Sequence, residues 1–512
     1  LAVTSGALPL WTRLLMRRCP ALFSTRSRSE WFRANSFGIS RALHWSQEQH
    51  VSCVRSAYAE ELAALERARL EAEVSNDPQG LAEVVEQLSE IEDRVGRDRL
   101  GALKSDIARV RRDALLPAAE RLMALHARSR HALEVQFDGE SGFGSGVTQN
   151  FYSAVANALL KIQNQGAEPI WLAEAGGDAD GFISHSGSLF PRPLPPSSSH
   201  DVVAAVCERF RFLGRLMAKA CRDSFIVPLP LSLHFLHLVR GGTLSYAALP
   251  AVRATGGVVS AYASVARQLA TVDAEGAALG EAARRQRYEA IADAEFAVRH
   301  GLSSAALSLR AWLDAACCCF VCPITGARLC ASGEGRFVSV HNLQEFVHLL
   351  AQLWLADGVA AQAAAFRGGF EEVFPVSALS PFTLAELQTR LCGTMTIEWS
   401  EGELQRHLHP SGGYTKHSTT YQLLLDELQR MPNAERALFL NFVTACPHLP
   451  PVGLSTLEIE VLPQHNGLLP TAQTCGNKLH LPEYQDAAAL RSGLAEAFAN
   501  ADFGGLHEHA AL

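Results

Sequence analysis

Apolar residues recur at helical spacing through most of this sequence, and strand-like alternation is confined to short stretches. The segment Phe210–Arg222 shows the rule, with Phe210, Leu213, Leu216, Met217 and Ala220 on one stripe of a helix. Pro228 and Pro230 then stop the chain before another apolar helix. Alternation of the strand type is limited to "ALEVQF" after His131, "LEIEVL" near residue 460, and the run after Cys475 that ends at Leu481-Pro482. Such a chain is predicted to be mainly helical, with a few short strands. Its 512 residues exceed one core, so two to four structural units are expected.

The opening 55 residues form a basic leader segment. Up to Glu30 there is no acidic residue, while Arg13, Arg17, Arg18, Arg26 and Arg28 are basic. That composition is like a transit peptide, but a first residue of Leu rather than Met makes an internal segment of a longer protein the expectation. Residues 56–130 read as helical, with a coiled hairpin as one arrangement, and a third helix is predicted from about Lys104 to Arg130, bent at Pro117. Residues 241–315 are helical and Ala-rich, and the stretch 266–300 is read as partly disordered. "SPFTLAELQTRLCG" predicts a helix capped by Ser380 with Pro381 at its first position, ending at Gly393.

A net charge of −8 gives no support to a nucleic-acid partner. No uninterrupted apolar run of about 18 residues exists, so no membrane span is expected. The twelve cysteines have no repeating spacing. This fits reduced thiols in the cytoplasm or nucleus better than a disulfide framework.

Three motifs invite chemistry. "SGFGSG", before a helix, has the look of a phosphate cradle, but no Lys follows its glycines as a Walker loop requires. "CCCFVC" gathers Cys317, Cys318, Cys319 and Cys322, with Cys330 further on. Zinc needs four convergent ligands, usually two spaced pairs, and the second pair is missing. The alternative is a buried strand in which Cys behaves as a small hydrophobe. Finally, "LLPTAQTCGNKLHLPEY" places Cys475 between a turn and a short strand.

That last segment resembles the C-terminal lobe of HECT-type ubiquitin ligases, which carry Leu-Pro, then Thr-Cys-x-Asn, then Leu-x-Leu-Pro-x-Tyr. Here these are Leu469-Pro470, Thr474-Cys475, Asn477 and Leu479 to Tyr484. "FVTACPHLPPVGLSTL", "SGGYTKHS", "FRFLGRLMAKACRDSFIVPLPLS", "FRGGFEEVFP" and "PFTLAELQTRLCG" match the family in order and spacing, over about residues 104–506. "CPALFSTRSRSEWFRANSFGISRALHWSQEQ" and "VSVHNLQEF" resemble the ubiquitin-fusion-degradation class of that family.

The resemblance implies a bilobal α+β HECT domain: an N-lobe over 131–392 with a partner-binding subdomain near 241–375, a hinge at 393–400, and a C-lobe over 401–512. It implies a transferase of the ubiquitin conjugation pathway, linked to proteasomal degradation, that takes ubiquitin from a conjugating enzyme as a thioester on Cys475 and passes it to a protein substrate's lysine. No cofactor or metal is implied. Thiol-to-thiol transfer is nearly isoenergetic, and the thiolate is the nucleophile, so the Cys must be accessible. Thr474, Gln473, Asn477 and Phe503 are implied as supporting residues. Many family members carry His where Gln473 stands; Gln donates a hydrogen bond but is no base at neutral pH. By motif position, Phe346 and Leu350 on one helix and Tyr262, Val265 and Leu269 on another are implied to bind the conjugating enzyme. The competing readings are a HECT-like module that binds ubiquitin machinery without transfer, a zinc protein built on Cys317–Cys330, and a papain-like hydrolase. The last would require His and Asn or Asp to converge on a helix-borne Cys.

Overall fold

The computed structural model describes residues 9–38, 40–47, isolated positions between 58 and 75, 77–96, 103–140, 142–164, 169–172, 181–183, 188–245, 248–249, 257–451, 453–464 and 469–501. Phe503 and most of the expected helix over 56–75 lie outside the described residues. The chain divides into two compact units. One comprises 1–158, 215–229 and 372–512; the other comprises 159–214 and 230–371.

In the first unit the segment from Lys104 departs from expectation. Residues Ser105–Val110 form strand β1, and the helix starts only at Leu115, running to His126. β1 pairs in parallel with β2 (Ala132–Phe137), from Ser105 opposite Ala132 to Val110 opposite Phe137. The pairing satisfies the backbone groups of both strands across a helical crossover, and that tertiary gain overrides the local helical preference.

The opening segment is built into this unit. Helix Thr25–Phe37 buries Phe32, whose ring meets Phe374 and Phe382 edge-on at 5.7 and 5.4 Å. Arg28 grips Glu386 with two 2.7 Å hydrogen bonds and also donates to the Pro381 carbonyl. The helix Leu384–Cys392 is capped by Thr383, not Ser380, through a capping box with Glu386. Pro381 therefore precedes the helix, and the reciprocal Thr383–Glu386 bonds fix its start.

Residues 397–498 share one hydrophobic core that runs from Ile397 and Trp399 to Leu494 and Phe498. Its sheet has the order β3–β4–β6–β5, with β3 at Leu408–Pro410, β4 at Ile459–Pro463, β5 at Thr471–Gln473 and β6 at Lys478–Leu481. β3, β4 and β6 run parallel, and β5 returns antiparallel to β6. Alternate residues Ile459, Val461, Leu479 and Leu481 are completely buried against helices Thr419–Arg430, Asn433–Thr444 and Ala487–Asn500.

The second unit is helical around an aromatic cluster. Tyr262 stacks on Phe296, and Phe346 meets both Tyr262 and Phe320 edge-on. The Ala-rich stretch expected to be partly disordered forms helices Val258–Leu279 and Glu281–Asp293. They are tied together where Tyr288 donates to Asp273 at 2.7 Å and Arg287 pairs with Glu275. One helical run, Leu343–Glu371, is long and apolar enough to cross a membrane, but 61% of its apolar window is buried inside the protein, as in a core helix.

Candidate functional site

The antiparallel register of β5 and β6 decides where Cys475 sits. Gln473 pairs with Lys478, so Thr474 to Asn477 must reverse the chain in a tight turn. A tight reversal needs a residue in the left-handed region, and Asn477 supplies it at φ 49°. Its amide also donates to the Leu457 carbonyl, and its own carbonyl accepts from Glu460 N at 3.0 Å, which fastens the turn to the start of β4. Gly476 N donates to Gln473 O at 3.2 Å across the turn. Cys475 is thereby exposed at the tip, Gln473 is exposed beside it, and Thr474 is half-buried. The sequence predicts a turn followed by a strand; the structure makes it a hairpin tip.

The tip rests on the glycine loop of the same unit. Cys475 Sγ donates to the Phe143 carbonyl at 2.9 Å, and Ser145 Oγ donates to the Cys475 carbonyl at 3.4 Å. Gly146 makes the close approach possible, since a Cβ there would lie 2.5 Å from Thr474 Oγ1 and 2.7 Å from Cys475 N. Sequence reasoning weighed "SGFGSG" as a phosphate cradle and missed this role. The signal was present in its closely spaced glycines, which mark a close backbone approach of some kind.

The second candidate site is a groove in the other unit. A cavity of about 550 Å³ is walled by Val258, Val259, Tyr262, Val321 and Phe346, with Cys318 and Cys319 in its lining. Trp312 Nε1 donates to the Tyr262 hydroxyl at 3.2 Å, and that hydroxyl lies 3.6 Å from Cys318 Sγ. Burial, then the neighbouring Cys318 thiol, pushes the Tyr262 phenol well above its ordinary range. Of the five residues implied to bind a partner, Tyr262 and Phe346 come together in this groove. Leu269 and Leu350 are completely buried, and Val265 lines a separate cavity of about 210 Å³ with Phe296 and Leu309. Among the described residues, no group of three or more His, Cys, Asp or Glu side chains is arranged to hold a metal ion. Cys322 is buried and accepts from Trp354 Nε1 at 3.2 Å.

The fold thus defines a mainly helical α+β protein that presents one thiol on a hairpin and, separately, an apolar groove. A family model described as "HECT-domain (ubiquitin-transferase)" matches residues 181–505, and the chain belongs to the HECT-domain family. It is similar to E3 ubiquitin-protein ligase hecd-1 of Caenorhabditis elegans, 29% identical over 96% of this chain and 19% of that protein. It is also similar to E3 ubiquitin-protein ligase TRIP12 of Danio rerio, at 28% over 96% and 23%. Ubiquitin fusion degradation protein 4 of Saccharomyces cerevisiae is 26% identical over 97% of this chain and 30% of its own length. The chain therefore spans about a fifth to a third of the length of these relatives. The expected α+β, bilobal HECT fold preceded by helices is the fold of this family.

Proposed function

We propose that this chain is a ubiquitin-protein ligase that accepts ubiquitin from a conjugating enzyme as a thioester on Cys475 and passes it to a substrate lysine. The observation that carries this reading is the exposure of Cys475 at the tip of the β5–β6 hairpin. In the first step Sγ attacks the thioester carbonyl, a new C–S bond forms, and the conjugating enzyme's thiol leaves with the proton. In the second, a substrate amine attacks the new thioester and the Cys475 thiolate is the leaving group. Asn477 holds the turn's shape, and Gln473 offers a hydrogen-bond donor beside the sulfur.

The conjugating enzyme docks on the groove of Tyr262 and Phe346, where an apolar wall gives a partner side chain a place to bury. The lobes pivot within the expected hinge at 393–400. Four ties narrow the pivot. Asn433 donates to Met395 O and accepts from Ile397 N, Arg436 donates to Ile397 O, and Trp399 belongs to the core of 397–498. Residues beyond Met395 thus move with the C-lobe, and Gly393, at φ 74°, is the joint. The eleven described cysteines are free thiols, which suits the cytoplasm or nucleus.

The test incubates the protein with ubiquitin, activating enzyme, a conjugating enzyme and ATP, and runs non-reducing gels beside Cys475→Ala. A thiol-sensitive adduct on the wild type alone supports the reading. An adduct that survives in Cys475→Ala, or none on a folded wild type with several conjugating enzymes, overturns it.

A further inference from the structure

The groove contains sulfur that the proposed transfer does not use. Cys318 and Cys319 are both half-buried in the lining of a cavity otherwise made of valines, a proline and aromatic rings, with Glu334 at its edge. Cys317, next in the chain, is exposed and outside that lining. The Cys318 sulfur faces the Tyr262 hydroxyl at 3.6 Å, and that hydroxyl already receives the Trp312 N–H. Accepting from Trp312 leaves the phenol proton to be donated toward Cys318 Sγ or to a ligand atom seated beside that sulfur. The same small volume therefore holds an apolar wall, a nucleophile and an oriented O–H donor.

We infer that Cys318 is a modification site for apolar α,β-unsaturated aldehydes, and that its alkylation closes the groove. This rests on the reading of the groove as the conjugating enzyme's dock. The aldehyde's alkyl tail lies against Val258, Val259, Val321 and Phe346, which removes it from water. Its β-carbon then meets Cys318 Sγ, and its carbonyl oxygen receives the Tyr262 O–H. The S–C bond forms as the C=C π pair shifts toward the carbonyl, and the thiol proton ends on the α-carbon. Nothing is oxidised or reduced, and no group leaves. The thiol is the nucleophile, and the groove supplies proximity between the sulfur and the alkene.

The experiment treats the full chain with trans-2-nonenal or with acrolein, which lacks the tail, and maps adducts by peptide mass spectrometry over time. Cys317 serves as the exposed internal control. With nonenal, Cys318 is labelled about tenfold faster than Cys317, an enhancement within the range that proximity provides; with acrolein the preference disappears. Tyr262→Phe, checked for folding by thermal melt, slows Cys318 labelling about tenfold by removing the proton donor. Labelling of Cys317 as fast as Cys318, or of Cys319 in its place, overturns the assignment. Titration with a conjugating enzyme separates the two readings. Unlabelled protein binds and Cys318-labelled protein does not. Equal binding by both would overturn the closing of the groove, while failure of the unlabelled protein to bind would overturn the docking reading itself.

Discussion

The hairpin that carries Cys475 and the groove that holds Cys318 and Cys319 present sulfur in different ways. Cys475 sits on four turn residues between two strands of three and four residues, with its side chain out. Its partners are backbone carbonyl and hydroxyl groups of a glycine loop. Cys318 sits where aromatic rings crowd, and its partner is a buried phenol. A third thiol, Cys446, shows the limiting case: fully buried, it is pushed up to about 12 by desolvation and is inert at neutral pH. The hairpin favours a large partner that must reach the sulfur from outside. The groove favours a small apolar ligand or one inserted side chain.

The most severe way to test this contrast is to delete one sulfur at a time. Cys475→Ala is expected to lose the thiol-sensitive ubiquitin adduct entirely, whereas Cys317→Ser, exposed and outside both sites, keeps it. Gel assays at equal protein concentration decide this. Loss in both variants would mean that sulfur position does not matter, and the contrast would fail.

Next in size is the groove wall. Phe346 is buried between Tyr262 and Phe320, so Phe346→Ala should cost about 3–5 kcal/mol of stability through the cavity it leaves. Binding of a conjugating enzyme should fall with it. Phe346→Leu separates the effects, keeping most of the volume while losing the ring. Calorimetry with a binding titration reads both, and unchanged binding in a folded Phe346→Leu would argue that the ring contacts no partner.

A smaller effect belongs only to the unit that holds Cys475. The Arg28 guanidinium, through paired hydrogen bonds, holds the Glu386 carboxyl down to about 2 from its ordinary 4.5. A depressed carboxylate adds stability that is complete above its unfolded value and is lost as pH falls through the folded one. Wild type should therefore lose stability between about pH 4.5 and 2. Glu386→Gln should start about 2 kcal/mol lower at neutral pH and show a flatter acid limb. Melting curves at stepped pH would show it; parallel curves for the two proteins would remove Glu386 from the account.

What the sequence made legible follows from how local each signal is. The helices Thr419–Arg430, Asn433–Thr444 and Ala487–Asn500 announce themselves by spacing, and the Thr474-Cys475-x-Asn477 pattern singles out Cys475, by resemblance, at a turn before a strand. β1 was hidden because its partner strand lies beyond an intervening helix, and no local pattern reports a parallel register. The Thr383 cap was hidden because Ser380-Pro381 offers an equally good local start, and the choice is made by Glu386, which Arg28 also holds. The seat of Cys475 on Phe143 and Gly146 joins residues more than 300 apart in the chain. Glycine spacing shows that backbones approach there without saying which. Leu269 and Leu350 look like surface contacts in a motif, yet the structure buries them completely; one stripe of a helix cannot be told from another without its neighbours.

The finest test of the contrast lies in the hairpin turn itself. Asn477 does two things that substitution can separate. It adopts a left-handed backbone at φ 49°, and its amide ties the turn to the Leu457 carbonyl. Asn477→Gly keeps the backbone freedom and loses the tie. Asn477→Ala loses the tie but keeps a Cβ in that region, about 1 kcal/mol less favourable there than glycine. If turn shape alone presents Cys475, the glycine variant should accept ubiquitin nearly as well as wild type, and the alanine variant more slowly. If the tie to β4 matters most, the two variants should be equally slow despite their difference in strain. Initial rates of adduct formation for the three proteins distinguish these outcomes. A result in which neither variant differs from wild type would show that exposure, without a fixed turn geometry, is enough to present this thiol.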